Sequence, residues 1–281
     1  MPMLERAGKP RLHYLVDDFT DPWKPAPTIV LQHGYGRSGR FWYAWVPYLA
    51  RYFRVVRPDW RGFGASARDF DLASGITVEA FVEDTADLVR HLGGGPVHYC
   101  GESLAGTFGF VLAAEHPDLV ATLTALAAPL KVYPEVKEIF AFGHASWQEA
   151  LRAMGARGWA DAANGATRFP PGTDPGLLGW YADEMGGSSV EAMVALSELM
   201  LDVDATPWLP RISAPVLGLY AAHPTVTIQS QEGILRERIR DLSIVHLPST
   251  KHMIQHTHVA ACARQLLYFA ARHAGIACDE P

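Results

Sequence analysis

The sequence predicts an α/β chain, a mostly parallel and doubly wound sheet interrupted by a helical cap. Three observations carry this. Short runs rich in β-branched residues alternate with helix-period segments up to about residue 126. The rhythm then stops between residues 130 and 210, where helix-like stretches and Gly/Pro-rich loops follow one another without a strand run. It resumes from about residue 215 to the last helix. The expected division is a core domain of residues 1–129 and 211–281, with a cap or lid of residues 130–210 inserted between its halves.

Taken in order, residues 12–16 read as an opening strand and 28–33 (TIVLQH) as a buried strand after a Pro-rich connector. An aromatic-rich segment from Phe41 reads as a helix and 53–57 (FRVVR) as the next buried strand. Residues 77–92 begin with Thr77, carry Glu79 in the first turn and end at Gly93–Gly95, the signals of a capped helix. Strand 97–100, helix 104–115 and strand 120–126 follow, the helix stopped by Pro117. In the cap, 146–154 and 190–201 have helical period. Beyond it come strand 215–221, helix 231–240, strand 242–247 and the amphipathic helix 259–271.

Composition narrows the function. Of 281 residues, 49% are hydrophobic and 19% charged, against roughly 25% charged in an average soluble domain, so the chain can bury a large core. A net charge of -6 argues against a nucleic-acid or anionic-membrane partner, which needs a basic surface. A small-molecule substrate fits better, and a homodimer is left open. Residues 1–14 hold Glu5, Arg6, Lys9 and Arg11 without an apolar run, and nowhere do about 18 apolar residues follow one another. The expectation is a cytoplasmic protein. Cys100, Cys262 and Cys278 lack pairing or metal-type spacing and read as small buried hydrophobes in a reducing compartment.

Ser103 lies in Gly101-Glu102-Ser103-Leu104-Ala105-Gly106, between a predicted strand and a predicted helix. A tight strand-to-helix turn that projects a nucleophilic serine holds it in a strained conformation, so small residues are needed two places before and after it. Gly101 and Ala105 meet that need. The turn puts the Leu104 amide at a helix N-terminus, where developing negative charge is favoured. His33-Gly34-Tyr35-Gly36 follows the second buried strand, and its glycines let the Tyr35 amide approach as a second oxyanion donor. His33 itself reads as a hydrogen-bonding residue that shapes the loop. His252 follows the last strand in a loop from which a base can reach a serine above the sheet. His256 and His258 make a metal cluster conceivable, but no carboxylate or cysteine in the loop completes one. No metal and no cofactor are assigned.

HGYG at 33–36, the turn Asp59-Trp60-Arg61-Gly62-Phe63-Gly64-Ala65-Ser66, GESLAG at 101–106 and the His252 loop together resemble the α/β-hydrolase fold superfamily. The pattern is similar to its esterase, enol-lactonase and C–C bond hydrolase branch, and it spans nearly the whole chain outside the cap. The resemblance implies a serine nucleophile, Ser103, with His252 as base, Tyr35 and Leu104 amides as the oxyanion hole, and no cofactor. Relatives that form alkyl-enzymes carry Asp where this chain has Ser103. The acid is the departure: residues 216–231, where the family keeps it, contain no Asp or Glu, and residues 120–134 contain none either. Glu135 or Asp204 of the cap becomes the candidate. Otherwise His252 leans on a backbone carbonyl or on the His223–Thr225 turn. Glu102 is expected to point away from His252 as a structural group.

The leading expectation is serine-dependent hydrolysis of a small apolar or aromatic ester, lactone or activated ketone through an acyl-enzyme. A pocket roofed by Phe41, Trp42, Trp45, Trp147, Trp159 and their neighbours would suit such a substrate, although each of them taken singly reads as packing that holds the cap to the sheet. Arg152, Arg157 and Arg168 of the cap could pair with a substrate carboxylate, but exposed arginines are common and none of the three is singled out. The alternatives are a cofactor-free lyase or oxygenase using His252 as base, for which Trp60 and the missing acid speak, and a ligand-binding protein without activity.

Overall fold

The computed structural model describes residues 2–224, 226–227 and 230–278. Eight strands, β1 (Met3–Leu4), β2 (Leu12–Asp17), β3 (Thr28–Gln32), β4 (Arg54–Pro58), β5 (Val97–Glu102), β6 (Val120–Leu126), β7 (Val216–Ala221) and β8 (Leu242–Leu247), form one sheet. Their order is β1-β2-β4-β3-β5-β6-β7-β8. Neighbours from β4 through β8 are parallel, and β1 and β2 add an antiparallel edge. The doubly wound sheet expected from the sequence is therefore present.

The central strands are buried on both faces, which is why they read as continuous apolar runs: every residue of β5 and β7 is buried. The sheet differs from the sequence reading at two places. β1 is too short to show a period of its own and exists through pairing with β2 (Met3 to His13, Leu4 to Leu12). β5 continues beyond Cys100 through Glu102, so Glu102 is the last strand residue and Ser103 the first of the turn.

One face of the sheet carries helices Val78–His91 and Leu104–Glu115. The first is capped by Thr77, whose hydroxyl accepts from the Ala80 amide at 3.1 Å. The second has no polar face, because all its residues but Glu115 are buried. The opposite face packs Trp42, Trp45, Leu49 and Phe53 against the closing helix Val259–Ala274. Trp42 and Trp45 are packing residues, as each singly reads in the sequence, but they pack on this second core and not between the cap expected from the sequence and the sheet.

Between β6 and β7 run helices Pro134–Ala141, Trp147–Ala163, Pro175–Gly186 and Val190–Asp202. None of this segment joins the sheet, and a single bridge between Lys131 and Asp204 closes its stem. The long helix Trp147–Ala163 bends at Gly155 (φ 68, ψ 167) and runs into a π-turn, Asn164–Arg168. No helix of the described residues is long and apolar enough to cross a membrane.

Candidate active site

Ser103 stands where β5 turns into helix Leu104–Glu115. Its backbone is at φ 55, ψ -123, a conformation that side chains rarely adopt and that costs on the order of 1–3 kcal/mol. The surroundings impose it. The Ser103 amide donates to the Leu126 carbonyl at 2.8 Å, and the Ser103 carbonyl accepts from Gly106 at 2.9 Å. A methyl group on Gly101 would collide with the Ala105 carbonyl and lie 2.6 Å from the Gly106 amide nitrogen, so glycine is required there. The methyl of Ala105 itself is accommodated in full burial.

His252 reaches this turn from the loop after β8. Its Nε2 lies 3.0 Å from Ser103 Oγ. The loop hangs from the end of the segment between β6 and β7: the His252 amide donates to the Thr167 carbonyl at 3.0 Å and the Met253 amide to the Arg168 carbonyl at 3.2 Å. With Nε2 accepting from the serine hydroxyl, Nδ1 carries the imidazole proton. That Nδ1 is buried and has no hydrogen-bond partner among the described residues. Thr225, one end of the supporting turn expected from the sequence, lies outside the described residues. Neither carboxylate expected from residues 130–210 serves: Glu135 is exposed, and Asp204 is occupied by the Thr206 amide at 2.9 Å and by Lys131 at 3.4 Å.

Glu102 corrects the sequence reading. Its carboxylate does not point away from His252; Oε1 lies 3.6 Å from His252 Nε2, the same nitrogen that faces the serine. The reason is the extension of β5, which sends the Glu102 side chain inward beneath the loop after β3. There Oε2 accepts from the Gly34 amide at 3.1 Å and pairs with the Arg37 guanidinium. Both partners are buried. Burial pushes the Glu102 carboxyl above its ordinary range, with Arg37 opposing. Arg37 also donates to the Tyr181 hydroxyl at 2.7 Å, which ties this pair to helix Pro175–Gly186. Sequence reasoning misses Arg37 because a loop arginine carries no local sign of burial.

The loop before Tyr35 is shaped as expected. His33 Nε2 accepts from the Trp60 amide at 3.0 Å and its Nδ1 faces the Gly34 carbonyl at 2.8 Å. Burial holds the His33 pKa down at about 4, so this ring is neutral. The amides of Tyr35 and Leu104 take no hydrogen-bond partner among the described residues. The His252 pKa is pushed down to about 3, first by burial and then by the cations Arg37 and Arg168. This differs from the rise that a carboxylate on the far nitrogen would produce. His256 packs instead among aromatic rings, 5.7 Å from Tyr181 and 6.1 Å from Phe41, and His258 faces the Thr257 hydroxyl at 2.9 Å. The described residues hold no group of three or more His, Cys, Asp or Glu arranged for a metal ion.

Above Ser103 and His252 lies a narrow cavity of about 30 Å³, walled by Tyr35, Phe140, Trp147 and Trp159. Trp147 and Trp159 stack at 5.6 Å with their planes 9° apart. Trp60 is not part of this wall; it packs in the core 4.8 Å from Phe81 and 5.5 Å from Phe108. Arg152 and Arg157 are exposed and paired with Glu191 and Asp183, whereas Arg168 is buried and lines the cavity.

Residues 27–160 match the family model described as the alpha/beta hydrolase fold. A Yersinia enterocolitica protein that bears the name carbamate hydrolase RutD is 38% identical over 101 residues, 36% of this chain and 36% of that protein. Similar matches to proteins of that name from Caulobacter and Agrobacterium span 44% and 48% of their lengths, so the chain matches less than half of these relatives. The 3-oxoadipate enol-lactonase 2 of Acinetobacter baylyi is 25% identical over 240 residues, 83% of this chain and 82% of that one. Among solved structures, the enol-lactonase of Burkholderia xenovorans LB400 superposes with a TM-score of 0.81 at 25% identity, over 95% of this chain and 99% of that one.

Proposed function

The chain belongs to the α/β-hydrolase fold superfamily, and from that premise we propose that it is a serine hydrolase acting on a small ester or lactone. The observation that carries the proposal is the pair Ser103 Oγ and His252 Nε2 at 3.0 Å, with the serine held in its strained turn. Ser103 Oγ attacks the acyl carbon while its proton passes to His252 Nε2. The carbonyl oxygen becomes an oxyanion facing the Tyr35 and Leu104 amides. Collapse breaks the bond to the leaving oxygen, which takes the proton from Nε2, and an acyl-serine remains. Water, deprotonated by the same imidazole, then releases the acid and restores the serine.

In this scheme the charge that appears on Nε2 is met by Glu102 Oε1 at 3.6 Å. Glu102 therefore takes over the electrostatic part of a triad acid from the serine side of the ring, while the backbone bonds to Thr167 and Arg168 hold the loop that carries the ring. The aromatic cavity suits an apolar or aromatic acyl or alcohol part. Segment 130–210, which supplies most of that wall, acts as the lid.

The test is a serine-directed fluorophosphonate probe applied to the protein and to Ser103→Ala, alongside turnover of short-chain esters and lactones. Labelling and turnover in the first alone are expected. Labelling at another residue, or turnover that survives in the variant, would overturn the assignment.

A further inference from the structure

Each of the buried arginines Arg37, Arg57 and Arg61 is paired with a carboxylate, respectively Glu102, Asp17 and Asp84. Arg168 is as deeply buried and has no ion pair among the described residues. Its guanidinium lies between two rings, 5.0 Å from the centre of Trp159 and 5.2 Å from that of Tyr181. One edge is lightly held: Nη1 approaches Asn164 Oδ1 at 3.5 Å and Met185 Sδ at 3.2 Å. Nε and Nη2 make no hydrogen bond among the described residues, yet neither is sealed off as a buried, unpartnered atom. Arg168 lines the same cavity as Ser103 and His252, and no Asp or Glu lines it. An unpaired buried cation is costly, and proteins keep one where a counter-charge arrives from outside.

We propose that the substrate carries a carboxylate, and that Arg168 receives it inside the cavity while Ser103 attacks the ester or lactone carbonyl at the other end. This rests on the hydrolase reading and names its substrate class. With Nη1 turned to Asn164 and Met185, Nε and Nη2 form the edge without a hydrogen bond among the described residues, and two N–H groups on one guanidinium edge are what a carboxylate accepts in bidentate fashion. A carboxylate suits the site better than a phosphate, because a single unpaired arginine in an aromatic wall balances one negative charge. The closed cavity of about 30 Å³ holds only water or a small group, so a substrate must displace side chains of the lid such as Met200, which is flexible enough to move. The same π-turn carries both ends of the device, since the carbonyls of Thr167 and Arg168 hold the His252 loop. Occupation of Arg168 thus orders the segment from which the base hangs.

The experiment compares monomethyl esters of the three- to six-carbon dicarboxylic acids with methyl esters of the monocarboxylic acids of equal length, followed by pH-stat. The wild-type protein and the variants Arg168→Met and Arg168→Lys are measured. Binding of the monomethyl esters to Ser103→Ala and to Ser103→Ala/Arg168→Met is read from tryptophan fluorescence. The wild-type protein is expected to favour a half-acid ester by about 10- to 100-fold in kcat/KM. Arg168→Met should abolish that preference, bringing kcat/KM for the half-acid esters to the level of the neutral esters of equal length. Arg168→Lys should recover part of it. Equal turnover of charged and neutral esters by the wild-type protein overturns the carboxylate site and leaves the hydrolase reading standing. Equal loss of both substrates in Arg168→Met assigns Arg168 to the framework alone and likewise overturns it. Binding of half-acid esters that depends on Arg168, without hydrolysis of any ester, keeps the site and overturns the hydrolase reading. The wild-type comparison needs no variant to fold.

Discussion

Replacing Glu102 by Gln preserves shape and leaves an oxygen to accept from Gly34, but removes the negative charge 3.6 Å from His252 Nε2. Two unit charges at about 4 Å interact by ~1 kcal/mol in a water-like medium and by ~4 kcal/mol at an effective dielectric near 20. The imidazolium formed as Ser103 attacks loses stabilisation within that range, which lowers kcat by about 5- to 900-fold. The substitution also leaves the buried Arg37 without an anionic partner, and breaking such a pair costs about 3–5 kcal/mol of stability. The double variant Arg37→Met/Glu102→Gln separates these effects, because it removes both members of the buried pair and spares most of the folding cost. Ester turnover is measured for both variants beside thermal unfolding by circular dichroism. Both should be slow, with KM changed less than about threefold and the double variant the more stable of the two. A folded double variant with kcat within about threefold of the wild-type value would refute the argument that Glu102 meets the charge on His252.

Three further outcomes are expected from the geometry. Ser103→Ala should change the melting temperature little, since the backbone hydrogen bonds of the turn stay and only the hydroxyl bonded to His252 is lost, while turnover falls by several orders of magnitude; calorimetry and ester assays check both. Gly101→Ala should lose about 1–3 kcal/mol, through the collision with the Ala105 carbonyl, and most activity, as read from denaturant unfolding and the same assay. For pH, His252 sits at about 3 in the folded state against an ordinary value near 6.5, and His33 and His98 sit at about 4. The unfolded chain thus binds protons first, so these groups leave stability intact above about pH 6.5 and erode it as pH falls toward 3 to 4. kcat/KM should show no step near pH 6.5 and should decline only as tryptophan fluorescence reports unfolding; a reversible loss centred between pH 6 and 7 in a folded protein contradicts the depressed His252.

The fold and half of the candidate site are legible in the sequence because their signals are local. Gly101, Ser103 and Ala105 are constrained by one turn, the Gly34 and Gly36 loop by one strand end, and the gap in strand runs between residues 130 and 210 by simple absence. What is illegible depends on pieces far apart in the chain. Glu102 faces His252 only because β5 runs two residues further than its apolar run suggests and because Arg37 and the Gly34 amide draw the carboxylate inward. Arg168 looks like any cap arginine until the π-turn places it between Trp159 and Tyr181. Trp42 and Trp45 have the composition of a pocket wall but sit on the other face of the sheet, where Trp45 Nε1 donates to the Gln255 carbonyl at 2.9 Å.

The absent acid and the unpaired arginine explain each other. An acid on the far nitrogen of an imidazole sets its tautomer and raises its basicity. In this chain Nδ1 has no such partner among the described residues, and the base is held down by two buried cations, Arg37 and Arg168. Arg37, the larger of the two effects, is paired with Glu102, whereas Arg168 adds its charge without an ion-pair partner among the described residues. A carboxylate seated on Arg168 cancels that charge at the moment of binding, and the imidazole becomes a stronger base when the correct substrate arrives. A neutral ester of the same length fills the cavity without that effect. Discrimination between the two then lies in the chemical step as well as in binding, because the substrate supplies a negative charge to a site whose histidine has no acid of its own on the far side.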